Sequence, residues 1–245
     1  MNSFVTSTSE NLVLSYLDER QPTVGIENVN KVLFSIGVRI STTPIPEEAR
    51  PILKVSKTRA LTEEESEKLI SQFPLHRGEL LEQIQLAGRQ PEAHRGGFLS
   101  TSEVGIAPYP KVYDMKAISA EARKTVLEKF GKLHVNSAEN GMGIDEVMTV
   151  VAGGPWTWFF RLPDGMMAKL SIGCVEAGDP AWRLSYPGLG MHAAFLDAED
   201  GLIVAFAHGP KHFVMRYDEP SVDGAEMLGT NPWIDFSVDI PKLVK

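Results

Sequence analysis

The chain has 245 residues, 43% hydrophobic and 23% charged, with a formal net charge of −8; a chain of this length and make-up buries a core without disulfides or a structural metal. Its glycines and prolines follow no period and its longest aliphatic and aromatic run is only Leu202 to Ala207, which excludes collagen-like, low-complexity and membrane-spanning helical classes. Residues 1–130 carry 16 basic and 17 acidic side chains and residues 131–245 carry 8 and 15, so neither half has the cationic surplus that binds nucleic-acid phosphates.

The first half reads as helices. No basic segment followed by an apolar one opens the chain, and Cys174 is the single cysteine; both features predict a cytoplasmic protein without disulfides. Leu12, Val13, Tyr16 and Leu17 form a short amphipathic pattern. Val29, Val32, Leu33 and Ile36 repeat at helical spacing, and Gly37 supplies a left-handed stop. Thr62 followed by Glu65 is a capping box, opening a helix to about Phe73 that buries Leu69, Ile70 and Phe73. After Pro74 a second helix carries Leu80, Leu81, Ile84 and Leu86, ending before Gly88. Gln90 to Pro110 has no sustained period and predicts a long surface loop, either a passive connector or a lid. A last helix opens at Ser119, buries Ala122, Val126, Leu127 and Phe130, and ends at Gly131.

Beyond Gly131 the period changes to that of strands. Val147–Val151, Trp156–Leu162, Met166–Ile172, Ala181–Tyr186, Met191–Leu196, Leu202–Ala207 and His212–Tyr217 are short runs split by turn signals such as Pro163-Asp164-Gly165. In the second run Trp156, Trp158 and Phe160 alternate with Thr157, Phe159 and Arg161, as on the two faces of a sheet. The expected fold is α+β: a helical region over 1–130 with the loop 90–110, then an antiparallel barrel with a C-terminal tail over 131–245.

The barrel half holds His134-Val135-Asn136, then Glu146 with six residues before Gly153, then Pro187-Gly188-Leu189-Gly190-Met191-His192. In these motifs it resembles the cupin superfamily of small β-barrels, over roughly residues 131–217. The second histidine of the first motif is Asn136 here, and the gap from Asn136 to Glu146 exceeds the usual three or four residues. The resemblance implies a small-molecule enzyme, a metal-assisted oxygenase, lyase or isomerase, and a homodimer. It also implies that His134, Glu146 and His192 hold a divalent Fe, Mn, Ni or Zn ion. Imidazole with carboxylate suits those ions and leaves positions open for substrate.

Arg161 or Arg183 could clamp the carboxylate of an acidic substrate. Trp158 could stack on an aromatic one, or simply fill the core. Arg95 and Tyr109, on the loop, would approach the barrel mouth if the loop is a lid. In His208-Gly-Pro-Lys-His212 the Gly-Pro pair forbids a helical zinc motif, and either histidine could serve as a general base at the mouth. Cys174 reads as a buried, inert thiol. The competing reading is a non-catalytic binding or assembly module with a metal-free barrel. In it Glu146 pairs with Arg161, Arg183 or Arg216.

Overall fold

The computed structural model describes residues 11–75, 77–88, 109–139, 141–196, 200–208, 213–238 and 241–244. Its frame is two five-stranded antiparallel sheets. Strands β1 (Leu12–Tyr16), β2 (Thr23–Val24), β7 (Trp156–Arg161), β8 (Met167–Ile172) and β10 (His192–Phe195) form one, in the order β10-β7-β8-β1-β2. The second holds β3 (Arg39–Thr43), β4 (Lys111–Asp114), β6 (Asp145–Gly153), β9 (Ala181–Tyr186) and β11 (Gly201–His208), in the order β3-β9-β6-β11-β4. A small pair, β5 (Val135–Ser137) with β12 (Val214–Arg216), stands at one end, and β13 (Ile234–Asp235) pairs with β14 (Lys242–Leu243) in the tail.

Alternation along the strands decides what faces the space between the sheets. Trp156, Trp158 and Phe160 from one sheet meet Met148, Val150, Leu184, Ile203 and Ala205 from the other in a single apolar cluster. Burial of each large side chain there is worth about 1.5–3 kcal/mol. The far side of the second sheet carries Val147, Val151, Leu202, Val204 and Phe206. These pack on Ile52, Leu69, Phe73 and Ile84, which come from α2 (Arg50–Ser56), α3 (Glu63–Gln72) with the residue that follows it, and α4 (Arg77–Leu86). The far side of the first sheet is covered by the C-terminal segment and α5 (Ala120–Phe130): Phe159 stacks on Trp233 at 4.7 Å between ring centroids, and Leu127 joins the same cluster.

Several expectations are met. Helix α1 (Ile26–Leu33) runs into a 3-10 turn that ends at Gly37, with φ 68°. Thr62 and Glu65 form the reciprocal capping box, and Ser119 caps α5. Others are corrected. The mixed helical and antiparallel fold holds, but among the described residues strand pairing does not run on from one sheet into the other. The barrel expected over 131–245 is antiparallel but not closed: it is two facing sheets. Strands β1 to β4, all before residue 131, belong to these two sheets. Residues 12–16 are a strand, with Leu12 and Leu14 both fully buried; apolar residues at 12, 13, 16 and 17 fit a helical stripe as well as a half-buried strand. Cys174 is exposed. Among the described residues no helix is long and apolar enough to cross a membrane.

Candidate metal centre

The three residues of the cupin-like motifs meet at one end of the space between the sheets. His134 and His192 are paired through their backbones, each amide donating to the other's carbonyl at 2.9 and 3.0 Å. Glu146, the second residue of β6, shares the parity of Met148 and Val150 and lies opposite Tyr186 in the register with β9. The Pro187–Met191 turn is pressed against this corner. The Asn136 backbone N–H donates to the Gly188 carbonyl at 2.7 Å, and the Gly188 N–H donates to Asp145 Oδ1 at 3.0 Å. A Cβ at Gly188 would collide with the backbone of Asn136 and Ile144, which is why glycine is needed there.

Both imidazoles are anchored in the same way. His134 Nδ1 lies 2.7 Å from the Lys132 carbonyl and His192 Nδ1 lies 2.7 Å from the Gly190 carbonyl. A carbonyl only accepts, so each Nδ1 carries the proton and each Nε2 keeps a lone pair. Burial, and secondarily the neighbouring His192, holds the His134 pKa well below its ordinary value, so His134 is neutral at pH 7. Glu146 accepts on both oxygens: Tyr109 donates to Oε1 at 2.7 Å and Asn136 Nδ2 donates to Oε2 at 2.6 Å. The same Asn136 nitrogen lies 3.1 Å from His192 Nε2, and Glu146 Oε2 is 3.5 Å from that atom. Asn136 Oδ1 is buried and makes no hydrogen bond among the described residues.

Phenols surround the carboxylate. The Tyr109 and Tyr113 hydroxyls are 3.1 Å apart. Burial first, and the negative field of Glu146 second, push Tyr109, Tyr113 and Tyr186 above the ordinary phenol pKa. They remain protonated donors at neutral pH. A cavity of about 20 Å³, room for roughly one water, is bounded by His134, Glu146, His192, Trp158, Tyr113 and Tyr186 with an apolar remainder. Among the described residues no three His, Cys, Asp or Glu side chains are arranged to hold one ion. Glu146 and His192 approach each other, and the His134 ring stands beside that of His192 at 4.4 Å.

Trp158 forms a wall of the cavity, and Tyr109 reaches it through Glu146. Arg95 and His212 lie outside the described residues. The remaining expectations are corrected. Arg183 alternates with Trp182 and Leu184, so it points to the helix side of its sheet, near Thr149 Oγ1 at 3.4 Å and in the field of Glu79. Arg161 is turned from the cavity as well: it pairs with Asp223 at 2.8 Å at the edge of a separate cleft of about 440 Å³. His208 shares the strand parity of Leu202, Val204 and Phe206, which face the helices, so it is not a base at the cavity. Arg216 reaches Ser137, the Ala138 carbonyl and Glu219 rather than Glu146. The motifs mark Asn136 only as the residue in place of a second histidine, and they do not include Tyr113 or Tyr186. Tyr186 was within reach, since it continues the inward parity of Trp182 and Leu184.

No protein-family model matches the chain, and no curated protein matches it in sequence. Among solved structures it is similar to the acireductone dioxygenase from Bacillus anthracis with cadmium ion in the active center. The TM-score is 0.56 at 14% sequence identity, over 85% of this chain and 99% of that one. The likeness is one of fold.

Proposed function

We propose that this chain is a metal-assisted enzyme of cupin type acting on a small organic molecule, with an oxygenase as the reaction class favoured by the structural neighbour. One observation carries the reading. Two buried imidazoles have their Nδ1 atoms fixed on backbone carbonyls, which leaves Nε2 as the acceptor of each, beside a buried carboxylate. This is the outer-shell arrangement that orients metal-binding histidines. The spacing also fits. Two donors each about 2.1 Å from one ion at a tetrahedral angle lie about 3.4 Å apart, and His192 Nε2 and Glu146 Oε2 are separated by 3.5 Å.

His192 through Nε2 and Glu146 through Oε2 would hold the ion at their present spacing; His134 would join them through Nε2 after its ring turns toward the ion, since no three such side chains are arranged for one among the described residues, and Asn136 Oδ1 is a further oxygen available once that amide turns. A divalent transition metal supplies Lewis acidity and open positions for a substrate or oxygen. The chain's own groups do the rest. Tyr109 fixes the Glu146 carboxylate by its short hydrogen bond. Protonated Tyr113 and Tyr186 keep the surroundings rich in donors, and Trp158 with its apolar neighbours excludes water.

The second reading, a metal-free binding module, draws on the Asn136 amide, whose two hydrogens already satisfy both acceptors. Metal analysis of the purified full-length protein separates the two. The enzyme reading expects one equivalent of transition metal in the wild type, and its loss from both Glu146→Ala and His192→Ala. A wild type that takes up no Fe, Mn, Ni or Zn while remaining folded would leave the binding module.

A further inference from the structure

A second cleft lies far from the candidate metal centre, between α2 and the end of β6. Its volume is about 390 Å³, within the roughly 300–1,000 Å³ usual for small-molecule sites. From Glu146 to Ala152 the strand advances about 20 Å, so the cleft and the cavity are separate places. Leu53, Val151 and Val175 belong to its apolar floor, while Arg50, Lys54, Lys57 and the carboxylate of Glu176 line the cleft.

Their partners set the charge the cleft can accept. Arg50 is held by Glu47 at 2.8 Å and Lys57 approaches Glu176 at 3.7 Å. Lys54 is exposed and makes no ion pair among the described residues. One positive charge is therefore left over an apolar floor.

We propose that this cleft is a second ligand site, for an amphipathic monocarboxylate whose hydrocarbon body lies on Leu53, Val151 and Val175 and whose carboxylate pairs with Lys54. A single uncompensated cation matches a monoanion better than a phosphate dianion. The floor requires an apolar body rather than a free inorganic anion.

Calorimetric titration of the full-length protein with octanoate tests this. Octanoate binds with one-to-one saturation, and 1-octanol, which has the same body without the charge, binds at least about tenfold more weakly. Lys54→Glu also weakens octanoate by about tenfold or more. Ala177→Trp fills the cleft from its rim and abolishes binding. Lys54 and Ala177 are both exposed, so neither substitution touches the core. His192→Ala binds octanoate as the wild type does, whether or not the metal reading holds. The proposal is overturned if octanoate does not saturate, if octanol binds equally well, if both cleft variants keep wild-type affinity, or if His192→Ala removes binding.

Discussion

Asn136 presents two amide hydrogens to two acceptors, Glu146 Oε2 and His192 Nε2, which otherwise face each other across 3.5 Å. A buried acceptor left without its donor costs about 1–3 kcal/mol. Asn136→Ala is therefore expected to lower the stability of the metal-free protein by about that much, read as a shift in the urea midpoint with unchanged slope. Tyr109→Phe strips the donor from Glu146 Oε1 and should cost about 1–3 kcal/mol as well; an unchanged midpoint would mean that water replaces the phenol. What the motifs made legible was that His134, Glu146 and His192 come together, and they line one cavity. A role that depends on which hydrogens meet which lone pairs, as for Asn136, was not legible. Arg183 was misplaced for a simpler reason. Its own neighbours, Trp182 and Leu184, fix the parity of the strand, and they put the arginine on the opposite face.

Glu65 shows how local signals survive into the fold. Its carboxylate accepts from Arg59 at 2.7 Å and from the Thr62 amide at 2.8 Å, while Thr62 Oγ1 accepts from the Glu65 amide at 3.2 Å. Thr62→Ala is expected to cost about 1 kcal/mol. The hydrogen bond from Arg59, followed by that from the Thr62 backbone, lowers the Glu65 pKa from 4.5 to about 2. A carboxyl depressed on folding contributes stability that is present above its unfolded pKa and is lost as pH falls through the folded one. Denaturation midpoints measured from pH 5 to pH 2 should thus decline less in Glu65→Gln than in the wild type. Strand β3 had no such signal. Ile40 is its only apolar residue, and the strand is held by β9 and by the Asn30 carboxamide, which both donates to and accepts from the Ile40 backbone at 2.7 and 2.8 Å. Helix α2 was overlooked because it has seven residues and carries Pro51, tolerated only because it lies in the first turn.

Strands from before residue 131 complete both sheets: β1 covers the edge of β8, β3 that of β9, and β4 that of β11. A fragment of residues 131–245 would leave those three edges bare, and bare edges pair with other chains. It is expected to aggregate on size-exclusion chromatography, whereas the full chain does not. A monomeric, folded fragment would show that the C-terminal half stands alone. At the other end, Trp233 is buried against Phe159 and donates to the Gly131 carbonyl at 2.8 Å. Trp233→Ala should cost about 3–5 kcal/mol, because the tail is part of the core of the first sheet rather than an appendage.

The pairing of β1 with β8 has a consequence in time. Leu12 lies opposite Ile172, so some 160 residues must be synthesised before the first strand meets its partner. Contacts that distant close slowly, and chains built from them fold over milliseconds to seconds rather than microseconds. During synthesis the Leu12–Leu14 edge waits without its partner strand, so its apolar side chains find their place in the core only after β8 has been made.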